Sequence, residues 1–200
     1  MIALIDYGIG NLRSVEKALR SVSAEVRLTS DPGLILAAEK VILPGVGAFG
    51  ASMAGLKARN LDRPLRQIVA DKKPLLGICV GMQLLLESSD ELGFHEGLGL
   101  LPGRVRRFEL KQLKVPHTGW NQILPTRSDP LLAGLDAGAY AYFNHGYYCE
   151  AADEDTLAHT DYGIRYASII AKGDIYGVQF HPEKSQQIGL SILRNFVENC

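Results

Sequence analysis

The sequence predicts an α/β fold: a mostly parallel open sheet flanked by helices, with antiparallel strands added in the second half, in a single domain over residues 1–200. Three observations predict it. Runs at residues 2–5, 41–43 and 75–78 are apolar at every position, which suits strands covered on both faces. Stretches with helical periodicity lie between them, and alternating strand and helix imply right-handed crossovers into a parallel sheet. From residue 104 to 181 the chain turns to strand-forming segments divided by glycines, the pattern of antiparallel pairing.

Taken in order, residues 2–5 form the first strand and end at Asp6-Tyr-Gly-Ile-Gly10, rich in turn residues. Asn11 is placed to cap the next helix, where Leu12, Val15, Leu19 and Val22 recur at spacings of three and four. Residues 25–28 read as the second strand. Asp31-Pro32 opens a short helix, with the acid as cap and proline in the first turn. Residues 40–43 form a third strand, expected to stop at Pro44-Gly45-Val46-Gly47. Helices are expected near 48–59 and 61–71. Residues 74–78 make the fourth strand and deliver Cys79, and residues 80–87 read as helix. In the second half, turns are expected at Gly119, Gly134, Gly163 and Gly173. Residues 140–145 and 175–180 alternate as half-buried strands do. From Ser185 the chain is helical, with Ile188, Ile192, Phe196 and Val197 on one face. The chain shows no internal repeat or linker.

Composition narrows the function classes. Hydrophobic residues make up 46% of the 200 and charged residues 22%, ordinary for a globular chain that needs no staple to hold its core. Basic and acidic residues number 21 and 22, a net charge of -1. That balance points away from nucleic acid or an anionic membrane as the main partner. Cys79, Cys149 and Cys200 form no C-x-x-C pair, so a disulfide framework is not indicated and a reducing cytoplasm is expected. Apolar runs fall short of the ~20 residues of a membrane span. The N-terminus reads as a strand rather than a signal peptide. No metal or cofactor is expected, since neither helical nor strand spacing groups His95, His117 and His159 as ligands. Gly8-Ile-Gly10 has Arg13 where a dinucleotide loop needs its third glycine, so it reads as a plain turn.

Chemistry concentrates at Gly77-Ile-Cys79-Val-Gly81. A lone cysteine at a strand end is usually an inert core residue. This one has a glycine two residues to each side and stands between a strand and a helix, the setting of a nucleophile on a sharp turn. The helix N-terminus beyond it favours a thiolate and offers N–H groups to an oxyanion. A cysteine nucleophile needs a base and a group to orient that base. Gln179-Phe-His181-Pro-Glu183 supplies both, and Cys79, His181 and Glu183 make a coherent triad. The glycines of Pro44-Gly45-Val46-Gly47 let a backbone N–H turn toward a substrate carbonyl.

These three stretches resemble the class I glutamine amidotransferases, and the resemblance runs almost the whole chain. It implies a flavodoxin-like core. Further stretches narrow it: Ile5-Asp-Tyr-Gly-Ile-Gly-Asn-Leu-Arg-Ser14, Val115-Pro-His-Thr-Gly-Trp-Asn121, Tyr142-Phe-Asn-His-Gly-Tyr147 and His181-Pro-Glu-Lys-Ser185. Together they are similar to the glutaminase subunits of imidazole glycerol phosphate synthases, in histidine biosynthesis. Three departures stand out: Val80 where leucine is usual, Thr118 where methionine is usual, and Asn144 and Gly146 around His145.

The resemblance implies hydrolysis of L-glutamine to glutamate and ammonia. Cys79 would attack the amide, His181 would move the protons and Glu183 would orient His181. Gly45, Val46, Gly47 and Val80 would serve the oxyanion. Gln83, Glu91, His145, Gly146 and Tyr147 would line the glutamine site, with Glu91 toward the α-ammonium group. The partner implied is a separate (β/α)8-barrel cyclase that receives the ammonia and gates the glutaminase. Asn11, Trp120, Tyr142 and Lys184 match positions near the subunit contact.

Other glutaminases of the class, feeding anthranilate, aminodeoxychorismate or pyridoxal phosphate synthesis, are the nearest competitors. Met82 argues against the first two and the Gln179–Ser185 ending against the third. A non-catalytic binding or redox protein, with Cys79 as a sensor, has no need of His181 and Glu183.

Overall fold

The computed structural model describes residues Met1–Cys200. Its first half alternates as the sequence implies: β1 (Ile2–Ile5), α1 (Leu12–Ser21), β2 (Val26–Thr29), α2 (Pro32–Ala37), β3 (Lys40–Gly45), α3 (Phe49–Ala58), α4 (Asp62–Ala70), β4 (Leu75–Cys79) and α5 (Val80–Leu84). The second half carries short β5 (Ser88–Ser89) and β6 (His95–Glu96), then β7 (Arg104–Arg107), β8 (His117–Gln122), β9 (Leu124–Pro125), β10 (Tyr140–His145), β11 (Tyr147–Glu150), β12 (Thr156–Asp161), β13 (Arg165–Lys172) and β14 (Ile175–Val178). Helix α6 (Gln186–Asn199) closes the chain.

The main sheet runs β2-β1-β3-β4-β14-β13-β11-β7-β5-β6. The β2-to-β14 portion is parallel; β13, β11 and β7 extend it antiparallel, β5 then joins β7 in parallel and β6 pairs antiparallel with β5. Strands β8 and β10 pair antiparallel in a separate ribbon. Strands β1 and β4 are buried at every residue, so helices cover both faces of the sheet there. Helix α1 packs on α6, α2 on α4 and α3 on α5.

Several local expectations change. Asn11 stands at the N-cap of α1 but makes no side-chain cap bond, whereas Asp31 caps α2 by accepting from the Leu34 N–H. Strand β3 does not stop at Pro44. It runs on to Gly45, because Pro44 and Gly45 stand opposite Ile78 and Cys79 in the ladder. Helix α5 ends at Leu84, three residues before the expected end. Gly119 is no turn; it lies inside β8 with φ +140°. Residues of β14 are all buried rather than alternating, since that strand lies between β4 and β13. Strand β10 does alternate, with Ala141, Phe143 and His145 inward.

Candidate active site

The carboxyl ends of β3, β4 and β14 are adjacent, and ligand sites in open α/β sheets form at such ends. Gly45 pairs with Cys79, and Ile78 with Val178 two residues before Phe180. The end of β14 therefore leads directly into His181 beside the end of β4.

Cys79 is held at φ 54° and ψ -113°, a conformation that costs an L-residue about 1–3 kcal/mol and persists only when its surroundings enforce it. The enforcement is close packing. A Cβ on Gly81 would meet the Leu43 carbonyl oxygen at 1.9 Å, and one on Gly77 would meet the Gly81 carbonyl oxygen at 2.6 Å. The first turn of α5 lies against β3 and β4, and only glycine fits. The strand must therefore break sharply into the helix, with Cys79 at the break.

His181 sits between two partners. Its Nδ1 lies 3.0 Å from Glu183 Oε1, with both side chains almost fully buried. A carboxylate only accepts, so Nδ1 carries the hydrogen and Nε2 is left for the sulfur. Burial alone lowers the imidazole pKa, but the hydrogen bonds and charges of Cys79 and Glu183 outweigh it and push His181 up to about 10. The backbone around the histidine is stitched to β10. The His181 N–H donates to the Tyr142 carbonyl at 2.9 Å, and the Ser185 hydroxyl donates to the His181 carbonyl at 2.7 Å. The Tyr142 N–H in turn donates to that hydroxyl oxygen at 2.9 Å.

A small cavity of about 110 Å³ opens over the cysteine. Val46, Gly47, Val80, Gln83, Glu91, His145, Gly146 and Tyr147 line it together with Cys79 and His181. Asn144, noted in the sequence only as a departure, lines it as well. Gly45 lies one step back in β3, where a Cβ would meet the Gly81 nitrogen at 2.6 Å. Gln83 donates its amide hydrogens to the Tyr147 carbonyl and to Gln179 Oε1, both at 3.1 Å. Only its oxygen remains for a ligand. Glu91 Oε2 accepts from the Phe49 N–H at 2.6 Å, so the carboxylate also holds the start of α3.

The departures around the cavity fit together. Thr118 and Asn144 stand opposite each other in the β8–β10 ladder, and the Thr118 hydroxyl donates to Asn144 Oδ1 at 3.1 Å. A Cβ on Gly146 would find its nearest neighbour at 3.6 Å, so a side chain would fit where this chain has none.

Of the four proposed contact residues, three cluster. Trp120 and Tyr142 meet edge to face at 6.1 Å, and Lys184 Nζ lies 5.8 Å from the Tyr142 ring centroid. Trp120 is 47% exposed, so its ring lies on the surface rather than in the core. Asn11 stands at the N-cap of α1, a helix that packs against the Pro182–Lys184 turn.

Two residues escaped the sequence reading. Gln179 turns its amide nitrogen to the Cys79 sulfur at 3.9 Å. Tyr7, read only as part of a turn, donates its hydroxyl to the Pro44 carbonyl. Gln179 lies inside the Gln179–Glu183 stretch, so its position was legible though its contact was not. Nothing in the sequence pairs residue 7 with residue 44.

The family model for class-I glutamine amidotransferases matches residues 3–200. The chain is 50% identical to imidazole glycerol phosphate synthase subunit HisH of Salinibacter ruber, over 98% of this chain and 93% of that protein. It is 48% identical to the subunit of the same name from Geobacter sulfurreducens, over 98% of each. Solved structures share the fold at lower identity. A crystal structure of a glutamine amidotransferase superposes with a TM-score of 0.78 at 18% identity, covering 99% of this chain and 98% of that one. PurLQS from Thermotoga maritima superposes at 0.74 and 18%, covering 98% and 96%.

Proposed function

The chain belongs to the class I glutamine amidotransferases and, among them, to the HisH glutaminase subunits of imidazole glycerol phosphate synthase, which act in histidine biosynthesis, and we propose that Cys79, His181 and Glu183 carry its glutamine hydrolysis. The observation that supports this assignment is the strained Cys79, facing a buried His181–Glu183 pair at the edge of a small cavity.

In this reading the Cys79 sulfur attacks as the thiolate and bonds to the side-chain amide carbon of glutamine, moving the carbonyl electron pair onto its oxygen. His181, protonated at rest, passes its proton to the leaving nitrogen, and ammonia departs to leave a thioester. His181 then takes a proton from water as that water attacks, the C–S bond breaks, and glutamate leaves. Glu183 holds the ring with Nε2 toward the sulfur. The oxyanion is assigned to the Val80 N–H and a backbone N–H of Gly45, Val46 or Gly47. One such donor contributes ~3 kcal/mol to the transition state. Gln83, Glu91, His145, Gly146 and Tyr147 hold the rest of the glutamine.

As a synthase subunit the chain works with a partner subunit. We assign that partner as a (β/α)8-barrel cyclase that takes up the ammonia, docked on Trp120, Tyr142, Lys184 and Asn11. The half-exposed aromatic cluster beside His181 supports this face. Free cysteines throughout suit a cytoplasmic location.

The test is glutamate release from glutamine, with and without the cyclase subunit carrying its ligand. A large rise with the liganded cyclase is expected. A high rate indifferent to it would keep the triad and sink the gated partner. No release in either case, with binding demonstrated, would sink the glutaminase assignment.

A further inference from the structure

His117 and Tyr166 lie outside the cavity, yet they belong to one chain of polar groups that ends on its wall. Asn121 starts the chain. Its Oδ1 accepts from the Gln122 N–H at 2.8 Å and its Nδ2 donates to the Asp161 carbonyl at 2.8 Å. The same Nδ2 reaches His117 Nε2 at 3.4 Å. His117 Nδ1 is 3.2 Å from the Tyr166 hydroxyl oxygen, which is 3.3 Å from His145 Nε2. His145 Nδ1 is 2.7 Å from the Tyr147 carbonyl oxygen, the atom that also accepts from Gln83.

Both ends of this chain are tied to backbone groups, and that sets the position of every hydrogen. A carbonyl only accepts, so His145 Nδ1 carries a hydrogen, and in a neutral ring its Nε2 is then an acceptor. Tyr166 must then donate to His145 Nε2, and its oxygen accepts from His117 Nδ1. His117 Nε2 accepts in turn from Asn121, whose amide orientation is set by Gln122 and Asp161. The rings are packed among aromatic neighbours. His117 is stacked between Tyr162 at 3.9 Å and Phe143 at 5.0 Å, and Tyr166 is packed against Phe108 and Phe143.

We propose that Tyr166 and His117 are positioning residues for glutamine binding: the oriented chain holds His145 as its Nδ1–H tautomer and so fixes the Tyr147 carbonyl and the Gln83 amide on the cavity wall. The proposal rests on the reading of that cavity as the glutamine site. Neutral rings are needed for it. Burial takes His117 down to about 4. Burial also dominates at His145, against the bond to Tyr147, and together with the nearby His117 and His181 takes it down to about 3. The titratable groups facing His145 are Tyr166 from β13, His117 from β8 and His181 beyond β14, with no carboxylate among its charge partners. Nothing there pulls a second proton onto the ring.

The experiment is nitrogen-15 NMR of the full chain bound to its partner subunit, with glutaminase kinetics of the same complex. The expected spectrum shows His117 and His145 neutral, each with its hydrogen on Nδ1, at pH 6 to 8. Tyr166→Phe keeps the ring and removes only the hydroxyl. It is expected to raise the glutamine KM about tenfold and to change kcat less than about twofold, as the loss of one buried hydrogen-bond pair in a binding wall should. His117→Phe keeps the stack and is expected to raise KM by a smaller factor. An Nε2–H tautomer or an imidazolium at either position in the unaltered protein overturns the proposal, and that result needs no variant to fold. An unchanged KM in a folded Tyr166→Phe chain overturns it too. Glutamine hydrolysis that survives Cys79→Ala would sink the site reading instead, whatever the tautomers are.

Discussion

The buried hydroxyl of Tyr7 donates to the carbonyl oxygen of Pro44 at 2.8 Å. Tyr7 lies just past β1, and Pro44 is the residue before Gly45 at the end of β3. The bond orients the peptide that enters the proposed oxyanion segment, and the Phe49 N–H held by Glu91 fixes its exit. Tyr7→Phe should lower unfolding stability by about 1 kcal/mol and lower kcat more than it raises KM. Denaturant titration and glutaminase kinetics measure both. An unchanged kcat would show that the segment is oriented without Tyr7.

The glycines around the elbow differ sharply in what they tolerate. Gly81→Ala and Gly45→Ala place a Cβ 1.9 Å from the Leu43 carbonyl oxygen and 2.6 Å from the Gly81 nitrogen. Both should abolish glutamine hydrolysis and lower the melting temperature strongly. Gly146→Ser meets only ordinary contacts at 3.6 Å and should stay within about 0.5 kcal/mol of the parent. Thermal melts of the three variants test the contrast.

Strain at Cys79 predicts a gain in stability when it is removed. Glycine adopts φ 54° without penalty, so Cys79→Gly should be more stable than Cys79→Ala by about 1 kcal/mol, and both should lack glutaminase activity. Equal denaturation midpoints would mean that the elbow stores no strain.

His181 makes stability depend on pH in a defined direction. Its folded pKa of about 10 lies above the ordinary 6.5, so the folded state binds a proton that the unfolded chain releases first. The contribution is complete below pH 6.5 and is lost as pH rises toward 10, with a slope of at most about 1.4 kcal/mol per pH unit. Urea titrations at both ends of that window should show the parent losing more stability than His181→Asn. Equal losses would remove the Cys79 and Glu183 interactions from the account of the raised pKa.

Lys184 lies over the Tyr142 ring on the exposed face. Such a contact contributes about 0.5–1 kcal/mol at most, so Lys184→Ala should leave the free chain's melting temperature nearly unchanged. It should weaken binding to the cyclase subunit, measured by calorimetry. Intact affinity would remove Lys184 from the proposed interface.

What the sequence determined by itself is local or periodic. Apolar runs marked β1, β3 and β4 because strands buried on both faces leave no polar position. The two glycines about Cys79 marked an elbow because close backbone approach excludes a side chain. The spacing of His181 and Glu183 put ring and carboxylate within reach of each other, and only the elbow at Cys79 gave that pair its expected place in a triad. Contacts made across the sheet were decided only by tertiary structure. The extension of β3 through Pro44 depends on its pairing with β4, the burial of all of β14 on its place between β4 and β13, and the strand role of Gly119 on its pairing with β10. His117 reads as a stray histidine along the chain, because its partners Tyr166, Tyr162 and Phe143 are 26 or more residues away in sequence and are brought to it only by the folding of β8, β10, β13 and the turn between β12 and β13 into one core.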